Sequence, residues 1–142
     1  MKVNIKGFMA DRPQVGTAII ITDGDQVLLM KRKGPHGRAT WSTPGGHMEF
    51  RESPEDCAAR EAKEEVGLDV TDIRFRCLTN DIFEETGKHY ITIWMEGKAT
   101  GEPFLAAEEE VDEIGWFAWD ALPQPLFLPL HHLVQKNSYP PK

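Results

Sequence analysis

The stretch GGHMEFRESPEDCAAREAKEEVGL, residues 45–68, places many carboxylates behind a pair of glycines. Its second half predicts a helix over 54–66. Ser53 is a favourable N-cap, and Pro54 fits the first helical position. Gly67 supplies the left-handed backbone conformation with which many helices end. The stretch therefore predicts a loop, a short helix and a defined stop.

Three glutamates of this helix, Glu61, Glu64 and Glu65, have the spacing that places side chains on one side of a helix. A neighbouring stripe of small apolar residues suits close packing against a sheet; it comprises Ala58, Ala59, Ala62 and Val66. Like charges clustered beside a buried face raise one another's pKa unless a cation is bound. Crowded oxygen ligands are what Mg²⁺ or Mn²⁺ prefers. Taken alone, however, three glutamates more often form a solvated helix face.

The residues around the glutamates favour the metal-site interpretation. The Gly45-Gly46 pair lets backbone carbonyls approach a metal or a phosphate closely. Glu52 stands just before the N-cap, and Arg60 can pair with a carboxylate and hold it in place. The sequence thus supplies ligands, a close-approach loop and an orienting cation within one segment.

From Gly46 onward the sequence matches Gly-x5-Glu-x7-Arg-Glu-U-x-Glu-Glu-x-Gly-U at every fixed position, where U is aliphatic and Ala62 is a small member of that class. This pattern resembles the Nudix box. The segments LLMKRKG, WSTPGGHMEF, FEETGKHYIT and WFAWDALP are similar to the small MutT-like nucleoside triphosphate diphosphatases of that family, over roughly residues 14–124. One departure is Arg51, where a glycine is common.

The rest of the chain predicts more strands than helices. Asp23-Gly24 is a hairpin signal between two apolar runs. The expected elements are strands at 15–22, 26–32, 73–80, 89–97 and 114–119, a loop at 34–47 and a closing helix at 129–136. They predict an α/β (α+β) layer fold. The resemblance implies a Nudix α/β/α sandwich, with a mixed curved sheet between helices and a loop-helix-loop box at 46–68. We expect one domain over 1–142 with a frayed tail at 137–142.

The resemblance also implies roles for particular residues. The metal ligands would be Glu61, Glu64, Glu65 and the backbone carbonyl of Gly45 or Gly46. Arg60 would orient a box glutamate. A further carboxylate from a distant loop would serve as ligand or base; Glu110 is the candidate, with Glu109 and Glu113 as rivals.

Substrate contacts are expected at the end of the second strand and on the sheet. An arginine at the position of Arg32 contacts phosphate in related enzymes, and its planar fork suits that contact. A flat ring or an apolar slot can stack a nucleobase. The candidates for the base are Thr92, Tyr90, His89, Trp116 and Phe117, although core packing is the commoner role of such tryptophans. His131 and His132 are expected to be surface or packing residues.

Composition narrows the class of protein. The 142 residues carry a formal charge of −7, which argues against non-specific binding to nucleic acid. Two cysteines suggest no disulfide framework, and no apolar run reaches the ~20 residues of a membrane span. We therefore expect a cytoplasmic protein without membrane or nucleic-acid partners.

The expected function is Mg²⁺-dependent hydrolysis of a nucleoside triphosphate to the monophosphate and pyrophosphate, with Mn²⁺ as a substitute. The substrate would be an oxidised or non-standard nucleotide, or dCTP or CTP. The alternatives are hydrolysis of ADP-ribose or another nucleoside diphosphate-X, and a non-catalytic Nudix domain that senses nucleotides. Relatives within the resemblance are often homodimers, so a homodimer is an expected assembly.

Overall fold

A computed structural model describes residues 12–135 of the chain. In chain order, the elements are β1 Gln14–Asp23, β2 Gln26–Arg32, β3 Trp41–Ser42, β4 Gly45–His47, α1 Pro54–Val66, β5 Asp69–Phe83, β6 Lys88–Thr100, β7 Val111–Ala118 and α2 Leu128–Gln135. The expected frayed tail at 137–142 lies outside the described residues. Between residues 12 and 135, neither helix is long and apolar enough to cross a membrane.

Helix α1 begins and ends where the sequence predicts. The Ser53 side chain accepts a hydrogen bond from the backbone N–H of Asp56 at 3.1 Å. Gly67 has φ 70°, and its N–H donates to the carbonyl of Lys63 at 3.2 Å. Both ends of the helix thus have partners for backbone groups that the helix itself leaves unpaired.

The strands form a mixed sheet in the order β3-β2-β1-β6-β5, with β4 also paired to β1 and β7 to β2. Strands β1 and β6 run parallel, and every other recorded pair is antiparallel. Helices α1 and α2 pack on this sheet through two separate apolar clusters. The α/β/α sandwich implied by the resemblance is therefore confirmed.

The hairpin at Asp23-Gly24 forms, but its strands pair over a shorter length than predicted. Pairing of β1 with β2 is recorded only at Thr22↔Val27 and Asp23↔Gln26. Nearer its start, β1 pairs with β4 instead, at Gly16↔His47 through Ala18↔Gly45. Residues of both diverging strands then line one cavity.

Two other sequence expectations need correction. The segment 34–47 is not all loop, because β3 and β4 lie within it. The strand predicted at 73–80 extends over Asp69–Phe83, because β6 pairs with it along its length despite two bulges. Tertiary pairing overrides the weak strand propensity of its polar ends.

The buried face of α1 also differs by one residue from the prediction. Ala58, Ala62 and Val66 are fully buried against the sheet, as expected. Cys57 is buried with them, whereas Ala59 is only half-buried. Cys57 and Cys77 form no disulfide.

Candidate active site

One cavity of about 520 Å³ opens between the diverging strands, α1 and the start of α2. Its two ends differ in chemistry. We call the end formed by Glu61, Glu65 and Glu110 the acidic end. We call the end formed by His36, Phe83, Tyr90 and Phe127 the aromatic end.

Glu65 is the most deeply buried carboxylate of the acidic end, with 5% of its surface exposed. The backbone N–H of Gly45 donates to its Oε1 at 2.8 Å. The pKa of Glu65 is raised to about 8, chiefly by burial and in part by the charges of Glu61 and Glu110, while the Gly45 hydrogen bond and the charge of Arg32 oppose the change. A carboxylate in this position is costly unless it is protonated or a cation is bound.

Glu61 lies against the glycine pair of β4. A β-carbon added at Gly46 would collide with the Glu61 carboxylate, and one added at Gly45 would collide with the backbone of Thr17. Burial raises the pKa of Glu61, while Arg60 opposes that change. A glycine suits position 46 because α1 brings the Glu61 carboxylate against β4, and position 45 because the backbone of β1 lies against it.

Arg60 joins the loop before α1 to the helix. Its Nε and Nη2 donate to the two carboxylate oxygens of Glu52 at 2.8 and 3.0 Å, and its Nη1 donates to Glu61 at 2.9 Å. Nη2 also donates to the carbonyl of His47 at 3.2 Å. The hydrogen bond from Arg60 lowers the pKa of Glu52 to about 2. This bidentate contact fixes both the loop and the orientation of Glu61.

Glu64 lies apart from the other two box glutamates. Its side chain is 56% exposed, and it lies 3.3 Å from Nη1 of Arg60. It is not among the residues that line the cavity. The structure therefore brings Glu61 and Glu65 together and leaves Glu64 at the rim.

Glu110 reaches the acidic end because its loop is held at both ends. The backbone N–H groups of Phe104 and Ala106 donate to carbonyls at the end of α1 at 3.0 and 3.3 Å. The N–H of Lys33 donates to the Glu110 carbonyl at 3.0 Å. Of the two rivals, Glu113 pairs with Lys31 at 3.9 Å, and Glu109 is exposed; neither lines the cavity.

Arg32 stands between the two ends of the cavity. Its Nε donates to the carbonyl of His36 at 2.9 Å, and its guanidinium lies 4.0 Å from the ring centre of Phe127. Burial lowers its pKa, and the charge of Glu65 opposes that change. Arg32 thus carries a cation beside the carboxylates and a stacking contact with the aromatic end.

The acidic end fits a divalent cation by its donor set. Among residues 12–135, no three acidic, histidine or cysteine side chains already stand in a metal-binding arrangement. Three carboxylates nevertheless line one cavity; the charge of Glu110 raises the pKa of Glu61 and of Glu65, and the charge of Glu61 raises that of Glu65. Hard oxygen ligands of this kind suit Mg²⁺ or Mn²⁺, which would relieve their mutual repulsion.

The aromatic end combines rings from three distant parts of the chain: the β2–β3 loop, the β5–β6 hairpin and the residue before α2. His36 stacks on Tyr90 with ring centres 5.4 Å apart and meets Phe83 and Phe127 edge-on at 4.6 and 5.3 Å. The rings of Phe83 and Phe127 lie 5.5 Å apart. These contacts build an apolar wall beside the space in which a flat ligand could stack.

The structure separates the sequence candidates for base contact. Tyr90 and Thr92 line the cavity, whereas Trp116, Phe117 and His89 do not. Trp116 packs with the apolar cluster under α1, and Phe117 packs against Trp41 with ring centres 5.0 Å apart. The structure thus places these two rings in apolar packing outside the cavity.

Sequence reasoning did not find His36, Phe83 or Phe127. No spacing in the sequence links them, since they come from the β2–β3 loop, the end of β5 and the residue before α2. It also expected His132 to be only a surface or packing residue. Its Nδ1 lies 2.8 Å from Oδ1 of the buried Asp81.

Comparison with known proteins gives a consistent family. The family model of the NUDIX domain matches residues 12–138. The NAD-capped RNA hydrolase NudC of Pseudomonas aeruginosa is 31% identical over 105 residues, which are 74% of this chain and 36% of that protein. The 8-oxo-dGDP phosphatase NUDT18 of Mus musculus is 30% identical over 112 residues, which are 77% of this chain and 33% of that protein. The chain thus spans about a third of the length of these two relatives.

Solved structures agree with the fold. A MutT NUDIX hydrolase from Burkholderia pseudomallei superimposes with a TM-score of 0.81 at 31% identity, over 88% of this chain and 98% of that one. The NUDIX domain of Shewanella oneidensis NrtR, solved in complex with ADP ribose, superimposes with a TM-score of 0.73 at 16% identity, over 96% of each chain. The second likeness concerns the fold alone.

Proposed function

The chain belongs to the Nudix family, and on that premise we propose that it hydrolyses nucleoside triphosphates to the monophosphate and pyrophosphate in a Mg²⁺-dependent reaction. The observation that carries the proposal is a single cavity that holds buried carboxylates at one end and an aromatic wall at the other. A charged polyphosphate and a flat base need these two environments side by side. The 8-oxo-dGDP phosphatase among the relatives supports a nucleotide substrate.

The acidic end suits the reacting phosphates. Glu61, Glu65 and Glu110 would hold the cation, with a backbone oxygen of Gly45 or Gly46 as a further ligand. A bound divalent ion neutralises phosphate oxygens and lowers the pKa of a coordinated water. Glu64, at the rim, would act through Arg60 rather than as a ligand inside the cavity.

The remaining residues bind and orient the substrate. Arg60 holds Glu61 in place through its bond at 2.9 Å and is itself held by Glu52. Arg32 would contact a phosphate oxygen at the boundary between the two ends. Phe127 and Tyr90 would stack the nucleobase and keep water away from it.

A second candidate function is hydrolysis of a nucleoside diphosphate-X. The NAD-capped RNA hydrolase among the relatives favours it, because the NAD cap of that substrate contains a phosphoanhydride between two nucleosides. The same acidic end would serve both reactions. A homodimer, Mn²⁺ as substitute ion and a cytoplasmic location are retained as expectations from the family.

Product analysis separates the two reactions. Purified protein is incubated with Mg²⁺ and a panel of nucleoside triphosphates, ADP-ribose and NAD, and the products are resolved by chromatography. Monophosphate with pyrophosphate supports the first proposal. AMP with ribose phosphate from ADP-ribose, or AMP with nicotinamide mononucleotide from NAD, supports the second. Tight nucleotide binding without any turnover would overturn both and favour a sensing domain.

A further inference from the structure

A buried network of hydrogen bonds lies directly behind the aromatic end. Asp81 on β5 is fully buried, and its Oδ2 accepts hydrogen bonds from the hydroxyls of Thr79 at 3.0 Å and Thr92 at 2.6 Å. Its Oδ1 lies 2.8 Å from Nδ1 of His132 on α2. Trp94 Nε1 donates to the hydroxyl of Thr79 at 2.9 Å. The network ties β5, β6 and α2 together.

Thr92 is the member of this network that both donates to Asp81 and lines the cavity. Thr92 and Trp94 line the cavity, whereas Thr79, Asp81 and His132 do not. Thr92 and Tyr90 are two residues apart on β6, so their side chains lie on the same face of the sheet. Thr92 therefore stands next to the aromatic wall, with 6% of its surface exposed.

The protons of the network can be counted. A threonine hydroxyl has one proton to donate and two lone pairs that can accept. Thr92 gives its proton to Asp81, so its remaining capacity toward the cavity is that of an acceptor. Thr79 gives its proton to the same oxygen and accepts from Trp94, which leaves it paired within the protein.

We propose that Asp81 makes the Thr92 hydroxyl an acceptor toward the cavity, so that the site selects a nucleobase that presents an N–H donor at this point. Asp81 is a positioning residue, and Thr92 determines specificity by contact with the base edge. The inference rests on the proposed function and names the chemistry by which that site chooses among bases.

The polar partner and the aromatic wall act on different parts of the base. The rings of Tyr90 and Phe127 fix the plane of a stacked base and tolerate any base, because every base has a π-face. A buried acceptor at the edge discriminates strongly, because a substrate without the matching donor leaves it unpaired. Thr92 therefore supplies selectivity that the wall cannot supply.

The test compares nucleotides that differ by one amino group. The pairs are ATP with purine riboside triphosphate, GTP with ITP, and CTP with 2-pyrimidinone riboside triphosphate. In at least one pair the wild type is expected to favour the amino member by about tenfold or more in kcat/KM. Thr92→Val removes the acceptor at nearly constant volume and is expected to reduce that ratio to within about twofold of one. Thr92→Ser keeps the oxygen and is expected to retain the ratio.

Thr79→Val is the matched control. It makes the same substitution at a hydroxyl that donates to the same oxygen of Asp81, but outside the cavity. It is expected to lower the melting temperature and to leave the ratio unchanged. Asp81→Asn still accepts from both hydroxyls through its amide oxygen when its NH2 faces Nδ1 of His132, so it is expected to retain the ratio.

Binding of the corresponding nucleoside monophosphates without metal, measured by calorimetry, gives a second readout that needs no turnover. It is expected to show the same ratios. The inference is overturned if the wild type discriminates in none of the three pairs. It is also overturned if Thr92→Val leaves the ratios unchanged, or if Thr79→Val changes them as much as Thr92→Val does. Absence of all turnover in the wild type would instead contradict the proposed function.

Discussion

The two ends of the cavity differ in the parts of the chain that form them and in their effect on the stability of the fold. Most of the acidic end comes from one continuous segment, since Arg60, Glu61 and Glu65 are neighbours on α1 and the glycines of β4 precede them; only Glu110 comes from another part of the chain, the loop before β7. It buries carboxylates whose pKa is raised by burial. The aromatic end is built from three separate parts of the chain, the β2–β3 loop, the β5–β6 hairpin and the residue before α2, and it buries apolar surface, which stabilises the fold.

The two ends are therefore proposed to differ in function: the acidic end serves catalysis, and the aromatic end serves substrate binding. A desolvated carboxylate cluster lowers stability unless a cation is bound, so it is explained by chemistry rather than by folding. An aromatic wall stabilises the protein and offers stacking to any base. Changes at the acidic end should therefore reduce kcat, and changes at the aromatic end should raise KM.

The largest effect is expected from Glu65→Gln. The amide keeps the shape and can still accept from Gly45, but it removes a negative charge from the cation site. We expect kcat to fall by about a thousandfold or more, whereas the metal-free protein unfolds at a higher denaturant concentration, because a neutral amide is less costly to bury than this carboxyl. Rates and urea unfolding curves on one preparation measure both changes.

Glu55→Gln is the matched control for that substitution. Glu55 lies exposed in the first turn of the same helix and does not line the cavity. It should leave the rate within about twofold of wild type, consistent with a surface substitution. An equal loss of rate in both variants would show that the charge of Glu65 has no role that the exposed Glu55 lacks, and would contradict the cation site.

A smaller effect, of the other kinetic type, is expected from Phe127→Leu. The change removes a stacking ring and the guanidinium contact of Arg32 at 4.0 Å. We expect KM to rise by about tenfold, with kcat changed less than about threefold. Phe117→Leu, on a ring in the core outside the cavity, should lower the melting temperature and leave KM alone. A loss confined to kcat in Phe127→Leu would mean that the two ends are not separate in function.

The pH dependence of stability gives a third test, at His36. Burial first, and then the charge of Arg32, lower its pKa to about 4 from an ordinary value of 6.5. Between these values the unfolded chain binds more protons, so the stabilising effect of neutral His36 is complete above pH 6.5 and is lost as pH falls toward 4. Urea unfolding at pH 7 and pH 5 should show a smaller drop for His36→Gln than for wild type. An equal drop would show that His36 has no part in it.

The smallest effect is expected outside the cavity, at Arg51 in the loop before α1. This residue has φ 69°, a left-handed conformation that glycine adopts without strain. It explains why a glycine is common at this position of the resemblance. Because Arg51 is exposed, Arg51→Gly should stabilise the protein by about 0.5–1 kcal/mol, as the gain from relieved strain exceeds the entropy cost of glycine. Thermal unfolding measures it, and a loss of stability would contradict it.

The contrast between the ends also explains how far sequence reasoning reaches. The helix, its cap at Ser53 and its stop at Gly67 follow from local chemistry, and local chemistry was enough to place them. The separation of Glu64 from Glu65 did not follow, because helical spacing alone does not show which side the sheet covers. Only Glu65 turned out to be buried.

The aromatic end shows more clearly what cannot be predicted from the sequence. His36 meets Phe127 only because the β2–β3 loop and the segment before α2 come together, and the chain separates them by 91 positions. Trp116 is a candidate for base stacking only because it has an aromatic ring. In the structure, its side chain lies on the face of β7 that packs against the apolar cluster under α1. Long-range assembly of this kind leaves no periodic signal in the sequence.

Helix α1 and the loop before β7 are proposed to gather Glu61, Glu65 and Glu110 so that they bind a cation beside a stacked nucleotide. A crystal structure of the wild type with Mg²⁺ and a non-hydrolysable nucleoside triphosphate tests this proposal most directly. We expect an ion bound by Glu61 and Glu65, the phosphates next to that ion, and the base against Tyr90 and Phe127. A bound nucleotide with no ion at these glutamates, or with its base outside the aromatic wall, would contradict it.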